Sequence, residues 1–289
     1  MNVAMRIDTL PPDAPDNGPV PLLQSAAAAR ALGAVRLAVT NHGRPVARAL
    51  LLRRFGLGAT LLGPLWQPDA DPALRPSALR ALRGAGLHLA EAPDAATASA
   101  LHAAGFRQIA TPAHLALLDL SPDPAARRRA LDGAWRNRLV HAEAAGLSLH
   151  QRPLCGPTDP LLTAATAQAR RRRYRMLPPR AIAAIAAAAP GSEVIEAHLS
   201  GTPVAAMLFL RHGGAATYHV GHTTPVGRAA EAHRLILWHM TGRLAAAGIT
   251  LLDLGTIDTE TAPGLARFKL GLGARVRQLG GSFIALPGL

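Results

Sequence analysis

The stretch GRPVARALLLR (residues 43–53) recurs as GTPVAAMLFLR (residues 201–211), 158 positions further along the chain. Seven of the 11 aligned positions are identical, and Gly56 and Gly214 continue the same register. Each copy predicts a strand, a Gly-x-Pro turn, a long apolar strand and a glycine turn that leads into another strand. Repetition at a fixed offset indicates two copies of one domain.

The parallel continues downstream of both copies. LRGAGLHLAEA (82–92) and LAAAGITLLDL (244–254) each predict a helix end, a glycine cap and a buried strand that closes in an acid. ALHAAGF (100–106) and LARFKLGLG (265–273) then predict helices that stop at glycine and precede a last strand. This order of elements predicts an α/β fold with a mixed (α+β type) sheet in each copy, rather than a doubly wound parallel sheet.

The junction between the copies is also visible in the sequence. Ser121 precedes a Pro-Asp-Pro segment and is expected to cap a helix that begins near Ala125. The segment ARRRALDGAWRNRLVHAEAAG (126–146) is expected to continue as one charged helix. We therefore expect a first domain in residues 1–122, and a linker helix with a second domain in residues 123–289.

The charge is strongly positive and unevenly distributed. The 289 residues carry a formal charge of +13, from 30 arginines, a single lysine and 18 acids. Residues 123–289 hold 20 of the basic residues against 10 acids, whereas residues 1–122 hold 11 against 8. Such a field attracts RNA, nucleotides, phosphorylated cofactors or an anionic membrane surface.

Cysteine and hydropathy restrict the class of protein. The single Cys155 excludes an internal disulfide framework and a cysteine-only metal site. The first 21 residues lack the apolar core of a signal peptide, and the most apolar run, at 181–189, is too short to span a bilayer. We expect a cytoplasmic protein without integral membrane association.

Four segments carry a resemblance to a known family. They are WRNRLVHAEAAGLSL (135–149), LILWHM (235–240), LLDLG (251–255) and GLARFKLGLGARV (264–276). In order and spacing they resemble the Fem family of aminoacyl-tRNA-dependent peptidyl transferases and its FemAB-like relatives. The resemblance covers most of residues 125–289, and the repeat extends it to the first domain. It implies two tandem GNAT (acyl-CoA N-acyltransferase)-like domains and an N-acyltransferase.

The resemblance directs attention to LARFKLGLG. In the Fem family the lysine of the Phe-Lys motif lies in the acyl-transfer site, which implies that role for Lys269. A cation there stabilises the oxyanion of acyl transfer. Phe268 is a candidate for donor binding or for the core. Asp253, at the end of a buried strand, is a further candidate for the site or for capping the next loop.

The strand AATYHVGHT (215–223) supplies candidate proton acceptors. Strict alternation predicts Tyr218 and Val220 on one face and His219 on the other, with His222 at the turn. Any of the three polar side chains is a candidate to take the proton from an attacking amine. No metal is expected, because the spacing of the histidines matches no known ligand pattern.

The turn after this strand departs from the usual acyl-CoA site. Single-domain GNAT enzymes hold pyrophosphate in a Gln/Arg-x-x-Gly-x-Gly/Ala turn at a helix N-terminus. Here Thr224 replaces the basic residue and Pro225 removes one N–H donor, whereas Gly227, Arg228 and Ala229 fit a donor-binding role. No tightly bound cofactor is expected, and the donor co-substrate is either aminoacyl-tRNA or acyl-CoA.

The run ARRRRYRML (169–177) is the densest charge in the chain. It is a candidate to bind tRNA phosphates or an anionic acceptor, or else a solvated helix end before two prolines. The candidate contacts are Arg170, Arg171, Arg172, Arg173, Tyr174 and Arg175.

These observations predict transfer of an activated acyl or aminoacyl group to a free amine of a peptide or small acceptor. Aminoacyl-tRNA is the expected donor. The alternatives are an acyl-CoA-dependent N-acetyltransferase and a non-catalytic RNA- or anion-binding protein on a GNAT scaffold.

Overall fold

The computed structural model describes residues 4–16 and 18–285, which form two compact units. Within this range unit 1 comprises residues 4–16, 21–114 and 277–285, and unit 2 comprises residues 18–20 and 115–276.

The first part of the chain alternates strands with short helices. Its elements are β1 (Met5–Leu10), α1 (Ala26–Leu32), β2 (Val35–Asn41), β3 (Arg44–Arg54), β4 (Leu57–Thr60), β5 (Leu65–Trp66), α2 (Arg75–Gly84), β6 (Leu87–Ala92), α3 (Ala95–Ala103) and β7 (Arg107–Ala110). Two 3₁₀ turns, Leu22–Gln24 and Pro72–Leu74, precede α1 and α2.

The second part repeats this order after two connecting helices. Its elements are β8 (His114–Asp119), α4 (Pro124–Arg129), α5 (Gly133–Ala144), β9 (Leu147–Arg152), α6 (Pro160–Arg172), α7 (Pro179–Ala188), β10 (Glu193–Leu199), β11 (Thr202–His212), β12 (Ala215–Thr223), α8 (Pro225–Ala229), α9 (Ala232–Ala246), β13 (Leu251–Ile257), α10 (Pro263–Leu270), β14 (Arg275–Gln278) and β15 (Gly281–Ile284).

The repeat predicted from the sequence is confirmed strand by strand. The bounds of β2 and β3, shifted by 158 residues, are those of β10 and β11. Both hairpins carry a bulge at the same place, after Val39 in one and after Ala197 in the other. The prediction of an α/β fold with mixed sheets is also confirmed, because β4–β6 and β12–β13 pair in parallel while the pairs before them are antiparallel.

Two strands are exchanged between the repeats: β8, which ends the first repeat, pairs in the sheet of unit 2, and β15, which ends the second repeat, pairs in the sheet of unit 1. Over the described residues one sheet has the order β1-β2-β3-β4-β6-β15-β7, with β5 on β3, and the other has the order β9-β10-β11-β12-β13-β8-β14. Strand β15 therefore occupies in unit 1 the place that β8 occupies in unit 2. The expected boundary after residue 122 placed residues 115–122 in the first domain and residues 277–285 in the second, whereas they lie in unit 2 and unit 1. The expectation treated each domain as one continuous segment of the chain.

The linker helix expected over residues 126–146 is two helices. Asp132 ends the first run and caps α5, since its Oδ1 accepts from the N–H groups of Ala134 at 2.9 Å and Trp135 at 3.2 Å. The expected Ser121 cap is also replaced, because the Asp123 carboxylate accepts from the Ala126 N–H at 2.8 Å. The break turns Trp135 into the core of unit 2, where it is 2% exposed.

Candidate functional site

The central feature of unit 2 is an opening between its two parallel strands. Strands β12 and β13 pair only from Ala215 to Thr217 and from Leu251 to Asp253. Beyond these residues β12 continues to Thr223 and β13 to Ile257 without pairing to each other. Backbone groups that are not used in a ladder remain available to a ligand at such a place.

A bulge lies at the start of this opening. Phe209 pairs with Tyr218 and Leu208 pairs with Val220, so His219 is the extra residue of β12. Because neighbours on β11 face opposite sides, Tyr218 and Val220 also face opposite sides. The alternation expected over this strand is therefore wrong at the bulge. Bulges re-aim side chains and occur next to active sites.

Lys269 lies on the β13 side of the opening. Its side chain is 6% exposed, and Nζ donates a hydrogen bond of 2.7 Å to the carbonyl of Thr256. A Cβ placed on Gly255 would lie 3.6 Å from Nζ. The helix α10 thus directs the only lysine of the chain at the unpaired end of β13.

Burial lowers the pKa of Lys269 to about 8, and the charge of Asp253 opposes this shift. Asp253 Oδ1 accepts a hydrogen bond of 2.7 Å from the Gly255 N–H, which holds the turn of β13 beside the amine. Asp253, a candidate for the site or for capping the next loop, thus both holds the turn after it and interacts electrostatically with Lys269. An ammonium with a pKa near 8 is protonated at neutral pH and releases its proton readily.

Helix α5 fixes α10 through three contacts that the sequence analysis did not assign. The indole Nε1–H of Trp135 donates to the Phe268 carbonyl at 2.9 Å, and the Asp132 N–H donates to the Gly271 carbonyl at 2.9 Å. Gly271 must lack a side chain, because a Cβ there would lie 2.8 Å from Trp135 Cδ1. Two of the four segments that carry the family resemblance, those that contain Trp135 and Lys269, are therefore in contact, at a junction of α5 with α10.

Phe268 is part of this junction. The Arg234 guanidinium lies 5.4 Å from the Phe268 ring and 5.8 Å from the Trp135 ring. Glu231 forms an ion pair with Arg234 and a longer one, at 3.5 Å, with Arg138. Phe268 is thus packed against the core of unit 2 beside the Arg234 cation. The sequence analysis did not single out Arg234, and its position just before the LILWHM segment is the one feature that could have indicated it.

The candidate proton acceptors differ in their ability to ionise. Burial raises the pKa of Tyr218, whose ring packs 5.9 Å from that of Phe209. Burial lowers the pKa of His219 to about 4. At neutral pH, Tyr218 is therefore a neutral phenol and His219 a neutral imidazole, and burial makes the first a weaker acid and the second a weaker base than in water.

His222 lies further along β12 and contacts a second histidine. Its backbone carbonyl accepts a hydrogen bond of 2.9 Å from His233 Nε2, and burial lowers the pKa of His233 to about 4. The His222 Nδ1 is buried and has no hydrogen-bond partner within residues 4–16 and 18–285. Among the candidates on β12 in the described residues, only His222 has a buried ring nitrogen without a hydrogen-bond partner.

The turn into α8 is tightly packed and largely satisfied by its own groups. Thr224 caps the helix, because its Oγ1 accepts from the Gly227 N–H at 3.1 Å. A Cβ on Gly227 would lie 2.3 Å from the Val204 carbonyl, so only glycine fits. Arg228 and Ala229 are exposed. With Pro225 lacking an N–H and Gly227 already bonded, few donors are left for a phosphate.

The arginine run lies at the end of α6. The helix ends at Arg172, and Arg173 follows in a left-handed conformation with φ of 57°. Residues 170–175 are all exposed, and helix α6 packs against β12. Helix α6 therefore includes only Arg170 to Arg172 of the run. The run therefore lies at the end of a helix that packs against β12.

Neither a metal cluster nor a membrane span is found in the described residues. Over residues 4–16 and 18–285, no three His, Cys, Asp or Glu side chains lie close enough together to hold a metal ion. In the same part of the chain, no helix is both long and apolar enough to cross a bilayer.

A buried ammonium, a neutral phenol and a neutral imidazole around unpaired strand ends suit transfer of an acyl group. Residues 125–270, just over half of the chain, match the acetyltransferase (GNAT) domain. The chain belongs to this family. It is an acyltransferase, with the GNAT fold present in tandem.

Solved structures with the same arrangement extend the likeness to both units. The chain is similar to FemX, with a TM-score of 0.74, 14% identity and 97% of each chain covered. It is also similar to a tandem GNAT protein from the clavulanic acid biosynthesis pathway, with a TM-score of 0.57, 15% identity and 99% and 100% covered. The C-terminal domain of a putative lysylphosphatidylglycerol synthetase from Agrobacterium fabrum gives a TM-score of 0.55 at 15% identity, with 91% and 86% covered.

A search of curated proteins finds no match to the sequence. The fold likeness confirms the predicted FemAB-like tandem of GNAT domains. The roles of individual site residues remain predictions.

Proposed function

We propose that unit 2 transfers an aminoacyl group from aminoacyl-tRNA to the free amine of a peptide or small acceptor. The observation that carries this proposal is the position of Lys269, a buried ammonium directed at the unpaired end of β13. The hydrogen bond to Thr256 and the charge of Asp253 offset only part of the cost of burying this charge, because its pKa stays below the ordinary value. Its value lies in stabilising charge that develops during the reaction.

In the proposed step the acceptor amine attacks the carbonyl carbon of the aminoacyl ester. A C–N bond forms, the carbonyl oxygen becomes an oxyanion next to Lys269, and the C–O bond to the tRNA ribose then breaks. The amine loses a proton to a neutral imidazole, for which His219 and His222 are the candidates. The imidazolium then gives this proton to the departing ribose oxygen, and the neutral phenol of Tyr218 is the candidate to donate a hydrogen bond to that oxygen.

Two features support tRNA as the donor. The turn at Thr224 has few free N–H groups for the pyrophosphate of CoA, because Pro225 has none and Gly227 donates to the cap. Residues 123–289 carry a net charge of +10, the difference between 20 basic and 10 acidic residues. The exposed arginines 170–173 and 175 lie at and beyond the end of α6, which packs against β12, and would hold the acceptor stem through its phosphates.

Acyl-CoA is the second candidate donor. The family match is to an acetyltransferase domain, and Gly227 keeps the glycine of the acyl-CoA turn at a place where a Cβ would lie 2.3 Å from the Val204 carbonyl oxygen. Family membership favours either enzyme over a non-catalytic anion-binding protein. The cytoplasm remains the expected compartment, since both donors are available there.

The donor is tested by incubating the protein and a peptide with radiolabelled aminoacyl-tRNA or with radiolabelled acetyl-CoA. We expect label transfer from the tRNA only, with the initial rate lowered by raised salt because phosphate contacts are lost. Replacing Arg171 and Arg172 by Gln should raise KM for the tRNA at least severalfold and leave the rate at saturation nearly unchanged. Transfer from acetyl-CoA alone would overturn the tRNA proposal, and transfer from neither would overturn both.

A further inference from the structure

The turn between β3 and β4 in unit 1 carries an exposed aromatic residue. Phe55 is 88% exposed, and Leu57 beside it is 45% exposed. Phe55 also has a left-handed backbone, with φ of 51°. A bulky side chain in that conformation is strained, and its ring gains no burial within the chain.

The second repeat shows that the turn does not need this residue. The offset of 158 places Gly213 at the position of Phe55, and Gly213 has φ of 54°. Glycine adopts this conformation without strain. The fold therefore accepts a glycine at this turn, and the aromatic ring in unit 1 requires another explanation.

The surroundings of Phe55 are basic. The Arg54 guanidinium lies 4.9 Å from the centroid of the Phe55 ring, and Arg53 Nη2 donates to the Ala85 carbonyl at 3.0 Å. Arg83 lies near the next turn, where a Cβ on Gly105 would be 3.4 Å from its Nη1. Residues 44–68, 72–90 and 95–118, which supply all three turns, contain no acid.

A ring and an aliphatic side chain among arginines fit an anionic lipid surface better than a nucleic acid. Arg54 already covers one face of Phe55, which leaves a single face for a base, and Leu57 has no π face for stacking. Residues 53–57 also contain no amide or hydroxyl side chain that could read a base edge. Apolar tips flanked by arginine insert at the boundary between headgroups and acyl chains.

We propose that residues 53–57, here called the lipid tip, dock unit 1 onto a membrane surface rich in anionic phospholipid. Phe55 and Leu57 enter the headgroup boundary, and Arg53, Arg54 and Arg83 bind lipid phosphates. None of these residues belongs to the acyl-transfer site of unit 2, so this inference stands apart from the proposed function.

The test is cosedimentation of the full chain with sucrose-loaded vesicles of phosphatidylcholine containing about one-third phosphatidylglycerol. We expect binding to these vesicles and much weaker binding to pure phosphatidylcholine. Phe55→Gly copies the second repeat and keeps the turn, so it should fold normally. It should raise the lipid concentration for half-maximal binding by about tenfold.

Val140→Ser is the matched control, because Val140 is 53% exposed in α5 and also has a neighbouring arginine, Arg138. This variant should bind vesicles like the unmodified chain. Equal binding by Phe55→Gly, or no binding by the unmodified chain, would overturn the proposal. It would also be overturned if Phe55→Gly weakened tRNA binding in a filter assay and left vesicle binding unchanged, since a nucleic acid would then be the partner.

Discussion

At the scale of single residues, the site depends on where one ammonium group lies. Lys269 is buried and hydrogen bonded to Thr256, while Arg267 two positions before it is exposed. The uniqueness of the lysine marked it in the sequence. Its burial could not be predicted, because a basic residue in an amphipathic helix usually lies on the solvent side.

The first prediction concerns pH. Burial lowers the pKa of Lys269 to about 8, so the amine is charged below that pH and neutral above it. If the charge stabilises the oxyanion, kcat should decrease as pH rises through about 8. In Lys269→Arg the side chain stays charged, so this decrease should disappear although the absolute rate is lower. Measured kcat profiles from pH 6 to 10 test this, and an unchanged alkaline limb in the arginine variant would count against Lys269.

The second prediction concerns stability. The pKa of Lys269 is lower in the folded chain than its ordinary value of 10.5, so protonation favours the unfolded chain. The cost is fully present below about pH 8 and is lost as pH rises to 10.5. Lys269→Met should therefore raise the free energy of unfolding at pH 7 by about 1–3 kcal/mol, after the lost hydrogen bond is subtracted.

Urea unfolding at pH 7 and at pH 10.5 measures this difference. The advantage of the methionine variant should shrink at the higher pH. Lys269→Met that is less stable than the unmodified chain at pH 7 would mean that the lysine supports the fold rather than the chemistry.

At the scale of elements, the geometry of the site depends on the junction of α5 with α10. Trp135 donates a hydrogen bond to the carbonyl of Phe268, and Asp132 donates one to the carbonyl of Gly271. These two carbonyls flank Lys269 in the sequence. A helix fixed at these points presents Lys269 in one orientation. Such positioning contributes to the rate without any contact to the substrate.

The third prediction follows from this junction. Trp135→Phe removes the indole N–H and keeps an aromatic ring, so α10 should lose one of its anchors. We expect kcat to decrease by about tenfold with little change in KM, and the alkaline limb assigned to Lys269 to shift. Trp238→Phe, a change in the same core, is the control and should leave kcat and the limb unchanged. Equal effects of the two variants would reduce Trp135 to a packing role.

The elements themselves were well predicted, and their irregularities were not. The offset of 158 residues placed β10 and β11 because the turn residues and apolar runs are the same in both copies. The bulge at His219 was missed, since a strand sequence alternates without showing where a partner strand slips. The break at Asp132 was missed although Asp132-Gly133 is a turn signal, because the charged residues on both sides of it were read as one helix.

At the scale of the whole molecule, each sheet contains a strand from the other repeat, β15 in unit 1 and β8 in unit 2. Phe283 of β15 is fully buried in the core of unit 1, although it follows unit 2 in the sequence. Sequence alone does not reveal the exchange, because an apolar strand fits either of two sheets built from the same repeat. Lys269 occurs only in the second copy, so we expect the two units to differ in their roles.

The fourth prediction tests the exchange. Phe283→Ala should destabilise unit 1 by about 3–5 kcal/mol, because a large side chain is removed from a closed core. Hydrogen exchange should quicken in β6, which pairs with β15, more than in β11 of unit 2. Val276→Ala, at a residue that is 52% exposed in β14, should change little. Quickened exchange confined to unit 2 would contradict the strand assignment.

The most direct measurement is single-turnover aminoacyl transfer from charged tRNA to an amine by the unmodified chain and by Lys269→Met. Our account predicts a rate at saturating tRNA that is lower by about 100-fold in the variant, with the affinity for tRNA unchanged. An equal rate in the two proteins would contradict the central claim that Lys269 stabilises the transition state.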